Sequence, residues 1–155
     1  MIGLLQRVSE ASVRVDDELV GEIGPGIMVL VAVEKGDTAA QASRLAERLV
    51  AFRVFEDHAG KMNLDVRAAQ GGVLLVPQFT LAADTRKGNR PGFSGAADPD
   101  TGQKLFDLLV REVARRCPRV ATGRFGAHMA VSLVNQGPVT LMLRAAPAEA
   151  LETPS

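Results

Sequence analysis

The chain contains no tryptophan and no tyrosine, and Cys117 is the only cysteine among its 155 residues. Without Trp and Tyr, a surface that holds single-stranded nucleic acid by aromatic stacking is disfavoured. One cysteine excludes an internal disulfide framework and is typical of a reducing compartment. The two histidines, His58 and His128, are isolated, and Cys117 has no Cys or His neighbour at ligand spacing. We therefore expect no metal, and because the sequence has no P-loop and no dinucleotide-binding glycine fingerprint we expect no cofactor.

The sequence also lacks a net charge and a long apolar run. Eighteen basic residues balance eighteen acidic ones, so a nucleic-acid partner would have to be met by a local patch. No apolar run approaches the roughly 20 residues that span a bilayer. The N-terminus does not show the charged-then-apolar order of a signal peptide. These features predict a cytoplasmic protein with no membrane partner.

The apolar residues that are present predict a mixed α/β fold. Alternation or continuous apolar runs predict strands over residues 11–15, 19–23, 27–33, 73–76, 129–133 and 139–143. A helix follows Asp37 or Thr38, either of which can cap it, and a second begins at Asp98-Pro99. We expect a largely antiparallel sheet packed with two main helices, in one domain over residues 1–145. Residues 146–155 lack periodicity and are expected to form a disordered tail.

The stretch from Gly71 to Phe93 is the best candidate for a site. Its buried strand stops at Pro77, which cannot donate to a ladder, and Gln78, Phe79 and Thr80 follow at once. A core strand that ends in an amide, an aromatic ring and a hydroxyl is typical of a functional loop. Thr80 is a possible nucleophile, but no evident general base lies near it in the sequence. An enzyme built on this stretch would depend on positioning and backbone dipoles.

The basic loop that follows and a second motif complete the set of candidates. Arg86, Lys87 and Arg90 form either a solvated loop or a set of phosphate contacts. Near the C-terminus, residues 135–138 (Asn-Gln-Gly-Pro) are expected to turn the chain between the last two strands.

Several of these segments resemble the D-aminoacyl-tRNA deacylase (D-tyrosyl-tRNA deacylase) family. They are Leu5-Gln6-Arg7-Val8 with Ala11-Ser12-Val13, residues 24–37, residues 77–91 (Pro-Gln-Phe-Thr-Leu-Ala-Ala-Asp-Thr-Arg-Lys-Gly-Asn-Arg-Pro), and residues 135–140 (Asn-Gln-Gly-Pro-Val-Thr). The resemblance covers about residues 1 to 145. Two separated motifs in the same order make it specific.

The resemblance implies a homodimeric enzyme with the fold of that family. It would hydrolyse the ester that joins a D-amino acid, or glycine, to the 3′ end of tRNA, with no DNA partner. The backbone N–H groups of Phe79 and Thr80 would hold the oxyanion, and Gln78 would orient the substrate. A cis Gly137-Pro138 pair from the partner subunit would leave no room for an L side chain. Attack would come from Thr80 or from a water assisted by the tRNA 2′-hydroxyl, and the missing base favours the water.

Other residues carry weaker implications. Phe125 and Met129 are either core residues or part of an adenosine pocket. The family usually has Ser at the position of Pro77. A related deacylase group that acts on L-alanyl-tRNA also has Pro there, so relaxed chirality is an alternative. Gln136 stands where Asp is frequent. Two further alternatives are a non-catalytic module that binds a tRNA end or a small ligand, and an esterase of another substrate.

Overall fold

The computed structural model describes residues 1–147, so nearly all of the tail expected over 146–155 lies outside the described residues. Residues 1–147 form eight strands, two α-helices and a short 3₁₀ turn. The strands are β1 (Ile2–Val15), β2 (Glu18–Ile23), β3 (Gly26–Ala32), β4 (Phe55–Glu56), β5 (Met62–Leu64), β6 (Gly72–Pro77), β7 (Val120–Thr122) and β8 (Ala130–Arg144), and the helices are α1 (Ala39–Ala51) and α2 (Pro99–Ala114).

The main sheet is mixed and largely antiparallel, as the sequence predicts. Strand β1 pairs antiparallel with β3 through its first half and with β2 through its second half. Strand β8 pairs with β1 along the other edge over nearly its whole length. Strands β3, β6 and β7 are mutually parallel, in that order. The carboxyl ends of these three strands therefore lie side by side at one end of the sheet.

Both helices begin where the capping residues predict. Thr38 caps α1 in a reciprocal capping box with Gln41, and Asp98 caps α2 with Pro99 in its first turn. Asp37, the alternative cap, is instead buried and accepts a hydrogen bond of 2.9 Å from the amino group of Met1.

The sheet is covered on both faces. Alternate residues of β6 enter two apolar clusters: Val73 and Leu75 face the cluster that contains α1 and α2, whereas Leu74 and Val76 face the other. Such double burial explains why β6 has a continuous apolar sequence. The first residues of β3 and β6 approach so closely that a Cβ at Gly26 would overlap the carbonyl oxygen of Gly72.

The prediction of a turn at residues 135–138 is wrong. Strand β8 runs through this segment without reversing, and its two halves pair with the same strand, β1. The register shifts there, because the step from Gln6 to Val8 is opposed by the longer step from Thr140 to Asn135. The extra residues form a bulge, which a Gly-Pro sequence permits as readily as a turn.

Three other elements extend the predicted pattern. Strand β1 begins at Ile2, well before the alternation at residues 11–15, because its first half pairs with β3 on one side and with β8 on the other. Strands β4 and β5 form a short hairpin that pairs Phe55 with Leu64. Strand β7 has only three residues, too few to show a period.

Candidate active site

The strand-end triplet, Gln78, Phe79 and Thr80, lies where β6 passes into the 3₁₀ turn Phe79–Ala82. The backbone N–H of Gln78 donates to the carbonyl oxygen of Val31 at 2.7 Å, which fixes the triplet against the end of β3. The first N–H groups of a helical turn have no partner within it. Among residues 1–147, the N–H groups of Phe79 and Thr80 donate to no protein acceptor. Two adjacent donors are thus available at an exposed strand end.

The side chains of the triplet are placed by contacts on both sides. The amide of Gln78 donates to the hydroxyl oxygen of Thr80. The ring of Phe79 is 58% exposed and meets Phe93 edge to face, with 5.1 Å between the ring centroids. Within the described part of the chain, Gln78 is the only side-chain hydrogen-bond partner of Thr80. Among residues 1–147 no histidine or carboxylate is bonded to this hydroxyl, so this part of the chain provides no general base for it.

The basic loop contains one cation that is paired with a carboxylate and two that form no ion pair with the described residues. Arg86 donates two hydrogen bonds to the carboxylate of Asp84, at 2.9 and 2.8 Å. The side-chain hydrogen bond from Arg86, followed by its backbone N–H, lowers the pKa of Asp84 to about 2. Lys87 and Arg90 are exposed and have no ion partner in the described residues. Of the three predicted phosphate contacts, Lys87 and Arg90 are therefore the ones whose charges are not paired within residues 1–147.

Gly137 and Pro138 lie exposed on the bulge of β8 and are joined by a cis peptide bond. Arg7 donates to the carbonyl oxygen of Gln136 at 2.8 Å and to that of Val54 at 2.7 Å. The bulge is closed from its other side by Asn135, which accepts from the N–H of Val139 at 2.8 Å. The Gly-Pro pair is thus held between two side chains.

The two motifs lie far apart within one copy of the chain. The bulge is opposite Arg7, which pairs with Ile27, whereas Gln78 is bonded to Val31. Four residues of strand separate these points by about 13 Å, and three strand spacings add about 14 Å sideways. The separation of about 20 Å is too large for both motifs of one copy to contact the same substrate atom.

Phe125 and Met129 belong to different clusters. Phe125 packs against Phe106 of α2, with 6.4 Å between ring centroids, on the helical face of the sheet. Met129 packs on the opposite face, and its sulfur lies beside Gly123, next to the end of β6. The structure does not bring the two into one pocket.

Arg124 is not among the site residues that the sequence predicts, although it follows β7 at the same end of the sheet as the triplet. The sequence contains no signal for Arg124, because its place depends on the pairing of β7, and a strand of three residues is too short to show an apolar period.

Two clefts flank this architecture. One of about 530 Å³ adjoins the site and is lined by Ile2, Glu34, residues 81–86 and Arg144. Another cleft of about 830 Å³ lies at the opposite end of the sheet, beside Ser9 and Gly72. Among the described residues, no cluster of His, Cys, Asp or Glu is arranged to hold a metal ion. No helix of this part of the chain is long and apolar enough to cross a membrane.

Two solved structures share this fold. A solved structure described as a probable eukaryotic D-amino acid tRNA deacylase matches with a TM-score of 0.79, over 92% of this chain and 97% of that one; at 19% identity this likeness concerns the fold alone. The c-Myc DNA unwinding element binding protein matches with a TM-score of 0.90 and 34% identity, over 96% of this chain and 100% of that one. These two likenesses define the class of fold, a largely antiparallel mixed sheet packed with two helices, to which the chain belongs.

The sequence comparisons identify the family. The family model for D-Tyr-tRNA(Tyr) deacylase matches residues 4–144. D-aminoacyl-tRNA deacylase from Thioalkalivibrio sulfidiphilus is 63% identical over 95% of this chain and 99% of its own length, and that from Methylococcus capsulatus is 60% identical over 95% and 96%. The chain belongs to the D-aminoacyl-tRNA deacylase family.

Proposed function

We propose that this protein hydrolyses the ester of D-aminoacyl-tRNA, and of glycyl-tRNA, to free amino acid and tRNA. The family assignment over residues 4–144 supports the reaction class. The observation that carries the chemistry is the pair of unpartnered N–H groups at Phe79 and Thr80. They are suited to bind the carbonyl oxygen and the negative charge that develops on it. One such donor typically contributes about 3–4 kcal/mol to transition-state stabilisation.

The attacking group is a water assisted by the 2′-hydroxyl of the terminal adenosine. This assignment is supported by the surroundings of Thr80, whose hydroxyl accepts from Gln78 and contacts no base among residues 1–147. An activated nucleophile requires such a base or a lowered pKa. The amide of Gln78 keeps the Thr80 hydroxyl oriented beside the substrate.

Thr80→Ala separates the two mechanisms. We expect a loss of turnover of less than about 100-fold, whereas removal of a true nucleophile costs on the order of 10⁶-fold. D-aminoacyl-tRNA that ends in 2′-deoxyadenosine should be cleaved far more slowly by the wild type. Ser43→Ala, on α1 and away from the strand end, is the control for removal of a hydroxyl. Undetectable turnover in Thr80→Ala, with normal turnover of the deoxy substrate, would assign the attack to Thr80.

Chirality is selected by the Gly137-Pro138 pair of a second copy, so the active form is a homodimer. The proposal is supported by the separation of about 20 Å between the two motifs and by the exposure of the bulge. Arg7 and Asn135 hold this bulge so that its carbonyl oxygens exclude an L side chain by contact.

The decisive measurement is deacylation of D-aminoacyl-tRNA, its L counterpart and L-alanyl-tRNA by the purified protein. Rapid loss of the D ester alone supports the chiral editor. Cleavage of L-alanyl-tRNA as well would make Pro77 the first residue to test for relaxed chirality. If the protein retains the tRNA and cleaves no ester, it is a binding module and the enzymatic proposal fails.

A further inference from the structure

Arg124 lies beside the candidate active site on the flank opposite the basic loop. The N–H of Gly123 donates to Leu75 at 2.9 Å, and a Cβ at Gly123 would lie 3.4 Å from the ring of Pro77. Arg124 is the next residue and therefore emerges next to the start of the strand-end triplet. The basic loop is instead attached on the β3 side, where the backbone N–H of Lys35 donates to the carbonyl oxygen of Gly95 at 3.0 Å. The triplet is thus bracketed by cations from two directions.

The backbone of Arg124 is held, but its side chain is free. Its N–H points at the sulfur of Met129 at 3.4 Å, and the next residue, Phe125, is anchored against α2. The guanidinium is exposed and makes no hydrogen bond or ion pair within residues 1–147.

Neighbouring arginines are already engaged. Arg115 and Arg116 bind Glu112, and Arg119 donates to the carbonyl oxygen of Gln70. Arg86 is paired with Asp84. A free guanidinium on a fixed backbone beside a catalytic strand end has the features of an anion-binding group, because its planar fork matches phosphate oxygens.

We infer that Arg124 binds a backbone phosphate of the last nucleotides of the tRNA and thereby positions the terminal ester over Phe79 and Thr80. This inference rests on the proposed function, because it assumes that the ester lies at the strand end. The substrate backbone would then pass between Arg124 and the free cations Lys87 and Arg90. Arg124 is a positioning residue in this scheme, since it contacts the substrate away from the reacting atoms.

The test compares Arg124→Ala and Arg124→Lys with Arg111→Ala. Arg111 is an exposed arginine on α2 with no ion pair among the described residues, so its removal changes the net charge equally. For Arg124→Ala we expect KM for D-aminoacyl-tRNA to rise about tenfold, as for loss of a charge-assisted hydrogen bond. The value of kcat should stay within about twofold, because the reacting groups are intact. Lysine should restore part of the affinity, and Arg111→Ala should match the wild type.

Two further readouts separate phosphate binding from a structural effect. The slope of log kcat/KM against log salt should fall by about 0.7 in Arg124→Ala, as for one lost contact with a single strand. D-aminoacyl-adenosine, which has no phosphate, should be cleaved equally by Arg124→Ala and wild type. An unchanged KM, an unchanged salt slope, or an equal loss on the phosphate-free ester would overturn the inference.

Failure of the proposed function would be recognised separately. If the wild type cleaves no D-aminoacyl ester, binding of an uncharged cytidine-cytidine-adenosine trinucleotide is measured by fluorescence anisotropy with the same variants. Weaker binding by Arg124→Ala than by Arg111→Ala would then uphold the phosphate contact without the enzymatic proposal. Equal binding by the two variants would refute the contact.

Discussion

Replacement of Gly137 by alanine tests how the bulge of β8 is built. Gly137 has a φ of +141°, in the region that only glycine adopts readily. A Cβ at this position would lie 2.8 Å from a methyl group of Val139 and 3.0 Å from both the backbone nitrogen of Val139 and the guanidinium of Arg7. The guanidinium of Arg7 can move only by giving up its hydrogen bonds to Gln136 and Val54, and the backbone of Val139 is held by Asn135. The alanine can therefore be accommodated only if the bulge shifts.

The expected cost combines stability and activity. A non-glycine residue in such a backbone region costs about 1–3 kcal/mol of folding free energy. For a chain of this size, each kcal/mol lowers Tm by about 2–4 °C. Because a displacement of 1 Å in a positioning group can cost about 10²-fold in rate, we also expect a large fall in kcat/KM for the D ester or in its ratio to that of the L ester.

The assay uses urea unfolding at one fixed protein concentration and deacylation well below Tm. The matched control is Gly24→Ala, because Gly24 has no heavy atom within 4 Å of its Cβ position and no positive φ. We expect the control to stay within about 0.5 kcal/mol of the wild type. A Gly137→Ala variant that equals this control in stability, and that keeps both ester rates, would refute the structural account of the bulge.

Three further outcomes follow from other parts of the molecule. Gly26→Ala should fail to fold, as judged by circular dichroism, because its Cβ would overlap the carbonyl oxygen of Gly72 where β3 meets β6; recovery of a native spectrum would contradict that close approach. Cys117 is buried, and burial raises the pKa of its thiol, so a thiol reagent should react with it only after denaturant is added. The carboxyl of Asp84 should titrate near pH 2 by NMR. Because this folded pKa lies below the ordinary 3.8, the pairing with Arg86 stabilises the loop fully above pH 3.8 and is lost as the pH falls through about 2; in Arg86→Ala the midpoint should return towards 3.8.

Local chemistry made much of this protein predictable. The caps at Thr38 and Asp98 and the apolar stripes behind them specify both helices, because capping and helical periodicity involve residues a few positions apart. The continuous apolar run of β6 and the break at Pro77 predict a core strand that stops at a polar triplet. The motif at residues 77–91 and the Gly-Pro segment then identified the family, which the comparisons confirm.

Strand pairing was decided by the tertiary structure alone. The Gly-Pro segment is compatible locally with a turn or with a bulge, and it forms a bulge because both halves of β8 find the same partner, β1. The contact between Arg7 and Gln136 spans most of the chain, so no local pattern records it. Arg124 reaches the site edge only because β7 pairs with β6.

The sequence by itself thus determined both helices, the main apolar strands, the position of the strand-end triplet and the family. The tertiary structure decided which surfaces these elements share, and it put the Gly-Pro bulge three strands away from the strand-end triplet. The physical reason is that caps, periods and strand breaks depend on neighbouring residues, whereas sheet register depends on contacts between residues far apart in the chain.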